Sequence, residues 1–386
     1  MVNNFDYIWG RKGTNCKKWD STDEVFGRED VLPLWVADMD FAVPEEVSGA
    51  IKKRTEHPIY GYSGPDEDFY EGFKTWVEKR HGWEIEKDWI VVTPGVVPGM
   101  SFALNSLTEK GDKVIIQTPV YPPFHSLVKN NSRKLVVNPL KPSDNGYRMD
   151  LEHLESVIDD STRMLFFCSP HNPVGRVWKK EELDELIRIC EKHNVTLVSD
   201  EIWSDLVFSG YKHIPTALAG ENRENIITCM APSKTFNIAG LKTSVMVVPD
   251  QVKREKIKAF MQQTAIGSPG IFGIIAFTEA YKNGEQWLVE LLRYLEGNVE
   301  FLFDYLEKYF PQIKAIRPEG TYVVWLDFRE MGMEDEALGK KLIHEAKVGF
   351  SPGRVFGEEG KGFQRINIGC PREILKDALE RLRRVF

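Results

Sequence analysis

The stretch MLFFCSPHNPVGRVWKKEELDELIRICEKHNVTLVSD (164–200) decides how the chain folds. It opens with MLFFC (164–168) and closes with VTLVS (195–199), two short runs nearly uninterrupted in apolar character, as strands buried on both faces are. Between them, EELDELIRICEKH (181–193) places Leu183, Leu186, Ile187 and Cys190 at i, i+3, i+4 and i+7, which is one face of a helix. Strand, helix and strand in this order make a βαβ unit.

The same alternation runs outward from about residue 89 to 248. WIVVT (89–93), KVIIQ (113–117), KLVV (134–137), IITCM (226–230) and SVMVV (244–248) are further strand candidates, so an α/β fold with a mostly parallel seven-stranded sheet is expected. After Pro269 long helical stretches take over, the longest being GEQWLVELLRYLEGNVEFLFDYLEKYF (284–310), whose only internal breaker is Gly297. Two more strands, YVVWLDF (322–328) and FQRINIG (363–369), and a terminal helix (373–385) read as a smaller α+β C-terminal domain. PLWVADMDFAVP (33–44) is Pro-bounded and looks extended. The expected organisation is an N-terminal arm (1–45) contributing to the small domain, a large domain (46–285) and a small C-terminal domain (286–386).

Composition narrows the function. With 386 residues, 42% hydrophobic and 28% charged, the chain has ample core to bury. Fifty Lys and Arg against 58 Asp and Glu leave a formal charge of −8 and no basic run, which argues against a nucleic-acid partner. MVNNFDYIWGRKG (1–13) has no continuous apolar run, and no stretch approaches the ~18 apolar residues of a membrane span, so a cytoplasmic protein without a membrane partner is expected. The five cysteines are scattered and never spaced C-x-x-C, which argues against a disulfide framework and a metal site.

In an open parallel sheet, ligands bind beyond the carboxyl ends of the strands. WIVVT is followed by Pro94-Gly95-Val96-Val97, MLFFC by Ser169-Pro170-His171-Asn172-Pro173-Val174-Gly175, VTLVS by Asp200, and IITCM by Ala231-Pro232-Ser233-Lys234. Singly, each has an ordinary explanation: Asp200 as a helix cap, Lys234 as a solvated loop lysine, the prolines and glycines as turn formers. Together they bring a carboxylate, a lysine, an amide and a glycine turn that opens a helix to one rim.

These segments resemble the fold-type-I pyridoxal-phosphate enzymes, the aspartate aminotransferase superfamily, over nearly the whole chain. SPHNPVG (169–175), SDEIWSD (199–205), SKTFNIAGLK (233–242) and RINIGCPR (365–372) stand in the family's order and at its customary separations. Within it, VADMDFAVP (36–44), HPIYGYS (57–63), TPVYPPF (118–124) and GEEGKGFQRINIGCPR (357–372) look most like the MalY/PatB-type cystathionine β-lyase branch.

The resemblance implies pyridoxal 5'-phosphate as cofactor. By it, Lys234 would hold the cofactor covalently and, once released by substrate, shuttle the Cα proton. Asp200 would pair with the pyridine N–H, Asn172 would bond the phenolic oxygen, and Tyr121 would stack on the ring. The amides of Gly95, Val96 and Val97 would cradle the phosphate at a helix N-terminus, with Ser233 and Lys242 beside them. Arg365 would clamp the substrate α-carboxylate, with Asn172 nearby. Tyr62 resembles the tyrosine that reaches the phosphate from a neighbouring subunit, which implies a homodimer with shared sites.

Three positions depart from the family pattern. Ala231 stands where many relatives have a phosphate-binding serine, Lys242 where aminotransferases present an arginine, and Trp203 where they have a tyrosine and the lyase branch often a histidine. The implied reaction is β-elimination of L-cystathionine or a related cysteine S-conjugate to thiol, pyruvate and ammonia. Transamination by a pyridoxal-phosphate-dependent class I/II aminotransferase is the alternative, differing in where one proton lands, and a non-catalytic ligand-sensing module that keeps the fold is the third reading.

Overall fold

Seven strands build the central sheet of the computed structural model, which describes residues 3–143, 146–220 and 223–386. They are β1 (Ile90–Thr93), β2 (Lys113–Ile116), β3 (Lys134–Val137), β4 (Thr162–Cys168), β5 (Thr196–Asp200), β6 (Ile226–Met230) and β7 (Ser244–Val247). Their order across the sheet is β1-β7-β6-β5-β4-β2-β3. Only β7 runs against its neighbours, and all other pairs are parallel. The expected α/β fold with a mostly parallel seven-stranded sheet is what the chain adopts.

The apolar runs are continuous because each strand feeds two cores. Leu165, Phe167 and Leu197 join one cluster, while Phe166, Val198 and Ile227 join the other on the opposite face. Helix Lys180–Lys192 covers the first with Leu183, Leu186, Ile187 and Cys190, as the spacing predicts. Helix Val96–Leu107 covers the second with Met100, Ala103 and Leu104.

Beyond the central sheet, the strands Lys314–Ile316, Val323–Asp327, Phe363–Asn367 and Ser351–Pro352 form an antiparallel sheet in that order. The first and last of these escape a reading of the sequence because three or two residues are too few to show an alternation. Gly297 does not break the long helix Glu285–Tyr309. A Cβ there would sit 2.8 Å from Arg372 Nη2, so the glycine makes room for that guanidinium against the terminal helix Arg372–Arg383.

The first 45 residues depart from a plain extended arm. Two short helices, Lys17–Asp20 and Thr22–Phe26, fold where the Asp20 carboxylate accepts the amides of Gly13 (2.8 Å) and Cys16 (2.9 Å), a local side-chain turn that hydrophobic periodicity does not reveal. Leu32–Pro33 then pairs in parallel with Val348–Gly349, and the segment to Phe41 crosses between the two sheets.

Leu197 lies within β5, paired with Leu165 of β4 and Ile226 of β6, and is 1% exposed. Leu197→Ala should therefore cost about 2–5 kcal/mol and lower the apparent unfolding temperature, whereas Val252→Ala, on an exposed helix face, should leave that temperature nearly unchanged. Thermal unfolding followed by circular dichroism checks both.

Candidate active site

Strand register brings the chemistry together. Asp200 ends β5 opposite Cys168 of β4 on one side and Cys229 of β6 on the other, so its carboxylate emerges at the carboxyl edge of the sheet between two buried thiols. A cavity of about 870 Å³ opens there, with Arg365 of the antiparallel sheet and the segment Trp35–Ala37 forming its far wall.

The Asp200 carboxylate is 4% exposed and accepts one hydrogen bond, from the Ile202 amide (3.1 Å), with no ion pair among the described residues. Burial raises its pKa from the ordinary carboxylate range to about 7 despite the nearby Lys234 cation. Burial and the charge of Asp200 push both flanking thiols up, so Cys168 and Cys229 are inert neighbours.

Lys234 lies in the turn after β6, with part of its side chain open to the cavity. Its Nζ donates to the Ala37 carbonyl (2.6 Å) and sits 5.5 Å from the centre of the Trp203 ring. Desolvation, reinforced by the Arg365 cation and opposed by Asp38 and Asp200, lowers its pKa to about 8. This amine is therefore far more often unprotonated near neutral pH than an ordinary lysine, as a nucleophile or general base must be.

Arg365 is 5% exposed and has no carboxylate partner among the described residues. Its Nη1 donates to Asn172 Oδ1 (3.1 Å) and its Nη2 to the Trp35 carbonyl (2.7 Å) and Ser351 Oγ (3.3 Å), while Nε has no hydrogen-bond partner among the described residues. Burial lowers its pKa to about 10. A buried guanidinium surrounded by neutral acceptors, with one N–H unused, is a receptor for an anion.

At the end of β1, Gly95 takes φ +149°, a conformation that L side chains rarely adopt, and turns the chain into helix Val96–Leu107. The amides of Gly95, Val96 and Val97 have no hydrogen-bond partner among the described residues, and all three residues line the cavity. Unpaired donors at the positive end of a helix suit a phosphate.

Tyr121, Asn172, Ser233 and Lys242 also line this cavity. Asn172 gives its Oδ1 to Arg365, leaving Nδ2 without a partner among the described residues. Burial raises the Tyr121 phenol, with Arg365 acting the other way. Of the departures, Trp203 is a buried wall packed edge-on against Tyr322 at 4.7 Å, Lys242 is an exposed rim cation, and Ala231 is buried outside the lining. Tyr62 is not brought in: it is fully exposed, in the irregular segment before helix Glu67–His81. Unforeseen in the sequence are Trp35 and Ala37, whose backbone carbonyls hold Arg365 and Lys234; a carbonyl belongs to every residue, so no residue type announces it.

Four features of one cavity therefore match four features of pyridoxal phosphate and an amino acid. The nucleophilic Lys234 suits an aldehyde, the under-neutralised Asp200 a protonated ring nitrogen, the unpaired amides a phosphate, and Arg365 a carboxylate. Among the described residues no cluster of His, Cys, Asp or Glu is arranged to hold a metal ion, and no helix is long and apolar enough to cross a membrane.

Comparison with known proteins places the chain among others. The family described as aminotransferase class I and II matches residues 29–382. Cystathionine beta-lyase PatB of Bacillus subtilis (strain 168) is 43% identical over 382 residues, 98% of this chain and 99% of that protein. The solved structure of cystalysin from Treponema denticola, which contains pyridoxal 5'-phosphate, superposes with a TM-score of 0.96 at 38% identity, covering 100% of this chain and 99% of that one. The PLP-bound C-S lyase of Staphylococcus hominis gives 0.94 at 34% identity, covering 100% and 98%.

The Lys234 amine reacts only when unprotonated, so a pKa near 8 predicts that its acetylation in cofactor-free protein is half-maximal near pH 8, against about 10.4 for an ordinary lysine. Asp200→Asn removes a charge that favours the ammonium, so its midpoint should fall further. Peptide mass spectrometry over a pH series reads both, and a Lys234 midpoint equal to that of the surface lysines would contradict this account of the site.

Proposed function

The chain belongs to the class I and II aminotransferase family, and from that premise we propose that it is a pyridoxal-phosphate-dependent C–S lyase, catalysing β-elimination of L-cystathionine or a related cysteine S-conjugate to thiol, pyruvate and ammonia. The observation that carries the cofactor is the pairing of a lysine amine near pKa 8 with a desolvated, unpaired Asp200 in one cavity. The lyase reading draws on the likeness to PatB and to the C-S lyase structures.

When bound, pyridoxal phosphate supplies an aldehyde for the substrate amine and an electron sink that makes the Cα proton removable. In this reading Lys234 holds the cofactor and, once displaced by substrate, accepts the Cα proton at Nζ; its depressed pKa keeps that nitrogen available. Asp200 keeps a positive charge at the ring nitrogen and is itself returned toward full ionisation by that charge. Gly95, Val96 and Val97 hold the phosphate through their amides, with Ser233 and Lys242 at its flank and Tyr121 against the ring face. Arg365 would take the α-carboxylate, and Asn172, bonded to Arg365, would link that carboxylate site to the cofactor.

The lining also bears on the competing reaction. Among the described residues of this subunit, Arg365 is the only arginine that lines the cavity, so the subunit's own wall offers the distal carboxylate of an acidic amino acid no second fork. This favours a thioether side chain over an acidic aminotransferase substrate.

The reading includes a homodimer. Tyr62 is exposed together with Ile59 and Tyr60 in one segment, supporting a role in which it reaches a second subunit's phosphate. It also includes a cytoplasmic setting, in keeping with five free cysteines, and the division into an arm (1–45), a large domain (46–285) and a small domain (286–386).

Incubation with cystathionine should release pyruvate without any added 2-oxo acid acceptor; strict dependence on such an acceptor would establish transamination instead. Lys234→Ala should abolish turnover, and Asp200→Asn should lower it by about 10²- to 10³-fold, the scale of losing one preorganised charge. Mixing inactive Lys234→Ala and Tyr62→Phe subunits should restore some activity, because one hybrid site then has both side chains. No recovery in verified heterodimers means that Tyr62 does not serve the opposite subunit.

A further inference from the structure

The wall formed by residues 35–39 is not held by a strand ladder: every carbonyl from Trp35 to Met39 accepts from a side chain. Trp35 and Ala37 face the cavity, taking Arg365 Nη2 (2.7 Å) and Lys234 Nζ (2.6 Å), with the Tyr322 hydroxyl (2.9 Å) also on Ala37. Val36 and Asp38 face away, and both take Asn367 Nδ2 at 2.6 Å. Met39 takes Asn237 Nδ2 (3.0 Å). In an extended chain successive groups alternate in direction, so a slip of one residue would turn both cavity-facing carbonyls away from the two cations.

A cluster of four charges, Lys18 and Asp40 buried and Arg11 and Asp38 half-buried, holds the end of this segment. Arg11 bonds Asp38 (2.8 Å) and Asp40 (2.6 Å), and Lys18 bonds Asp40 (2.6 Å), which also accepts Trp19 Nε1 (2.8 Å). Lys18 is 0% exposed and Asp40 3%, so neither charge can find water if the pairing is lost. Buried ion pairs are a poor source of net stability, and fixing register is their best-attested use.

We propose that the Arg11–Lys18–Asp38–Asp40 cluster is a register lock for the segment Trp35–Met39, positioning the Lys234 amine and the Arg365 guanidinium relative to each other. Lys234 follows β6 of the central sheet and Arg365 lies in a strand of the antiparallel sheet, and this segment touches both. The proposal rests on the reading of Lys234 as the cofactor lysine and Arg365 as the carboxylate receptor. The four residues are positioning residues, since none of them touches the cofactor or substrate positions.

The charged groups that act on Lys234 are Asp38 and Asp200, which favour its ammonium, and Arg365, which opposes it, with the neutral Trp203 ring and Tyr322 hydroxyl beside them. Arg11→Gln leaves Asp38 less neutralised and should shift the pH midpoint of the holoenzyme's visible absorption upward. Asp38→Asn removes the anion and should shift it downward. Both should raise KM for the amino-acid substrate by about 2- to 30-fold through Arg365, the range for contacts one step from a ligand group. Arg11→Lys should recover part of each change, and Arg28→Gln, in the exposed pair with Asp30, should change neither.

Unchanged midpoint and KM in Arg11→Gln, with or without a lower unfolding temperature, overturns the lock and leaves the cluster a structural element only. If Arg11→Gln does not fold, Asp38→Asn, which keeps the Lys18–Asp40 pair, decides by the same two readouts. A wild-type protein that develops no visible band with pyridoxal phosphate defeats the cofactor reading instead. The lock is then judged by the acetylation midpoint of Lys234, which must still move in opposite directions in the two variants.

Discussion

Asp200, Lys234 and Arg365 are held out of water without enough opposite charge, and much of the structure follows from that constraint. Each responds as a desolvated group must, shifting toward its neutral form: the carboxyl up to about 7, the amine down to about 8, the guanidinium down to about 10. An isolated buried charge is costly, and here three sit around one cavity at the rim of a close-packed sheet. A ligand that brings a ring cation, a carbonyl carbon, a phosphate and a carboxylate supplies what each lacks. Ligand binding and folding are therefore linked, because the occupied site relieves an energetic burden that the unfolded chain never carries.

The polar groups directly behind the cavity show the contrast. Glu201, next to Asp200, is enclosed yet satisfied: its carboxylate accepts from Ser199 (2.9 Å) and the Thr216 amide (2.9 Å) and meets His213 at 2.8 Å. Asp205 accepts from Trp76 (3.0 Å) and from Thr235 (3.0 Å), the residue after Lys234, and meets His81 at 3.1 Å. Such completed networks rigidify the backbone that carries Asp200 and Lys234. Glu201 and Asp205 are thus satisfied where Asp200 and Arg365, facing the cavity, are not.

The sequence displayed those parts of the site that depend on residue type at the end of a strand. Gly95, Asp200, Asn172 and Lys234 each follow an apolar run closely enough that strand topology alone sends them to one rim. Arg365 was reached only through resemblance, because it lies inside a strand of the other sheet and no local pattern points it at the cavity. The carbonyls of Trp35 and Ala37 were hidden for a deeper reason. Their contribution is made by atoms that every residue shares, and their direction is set by contacts with Asn367 and Asn237, more than 190 positions away in sequence. The short helices near Lys17 and Thr22 were missed because an aspartate turn, rather than an apolar stripe, makes them.

That the N-terminal segment is held by side chains from both sheets bears on how the two sheets can move. Tyr322, Ser351, Arg365 and Asn367 reach it from the antiparallel sheet, Lys234 and Asn237 from the turn after β6. A shift of one sheet against the other would have to stretch hydrogen bonds of 2.6–2.9 Å to Trp35, Val36 and Ala37 or carry the segment along. With Asp38 and Asp40 also paired to Arg11 and Lys18, the segment ties the Lys234 amine to the Arg365 guanidinium, and Val25, Leu342 and Val355 add apolar lining to the same cavity. In the proposed reading, such apolar lining beside the two groups suits chemistry that is constant at Cα and varied in the group attached to sulfur.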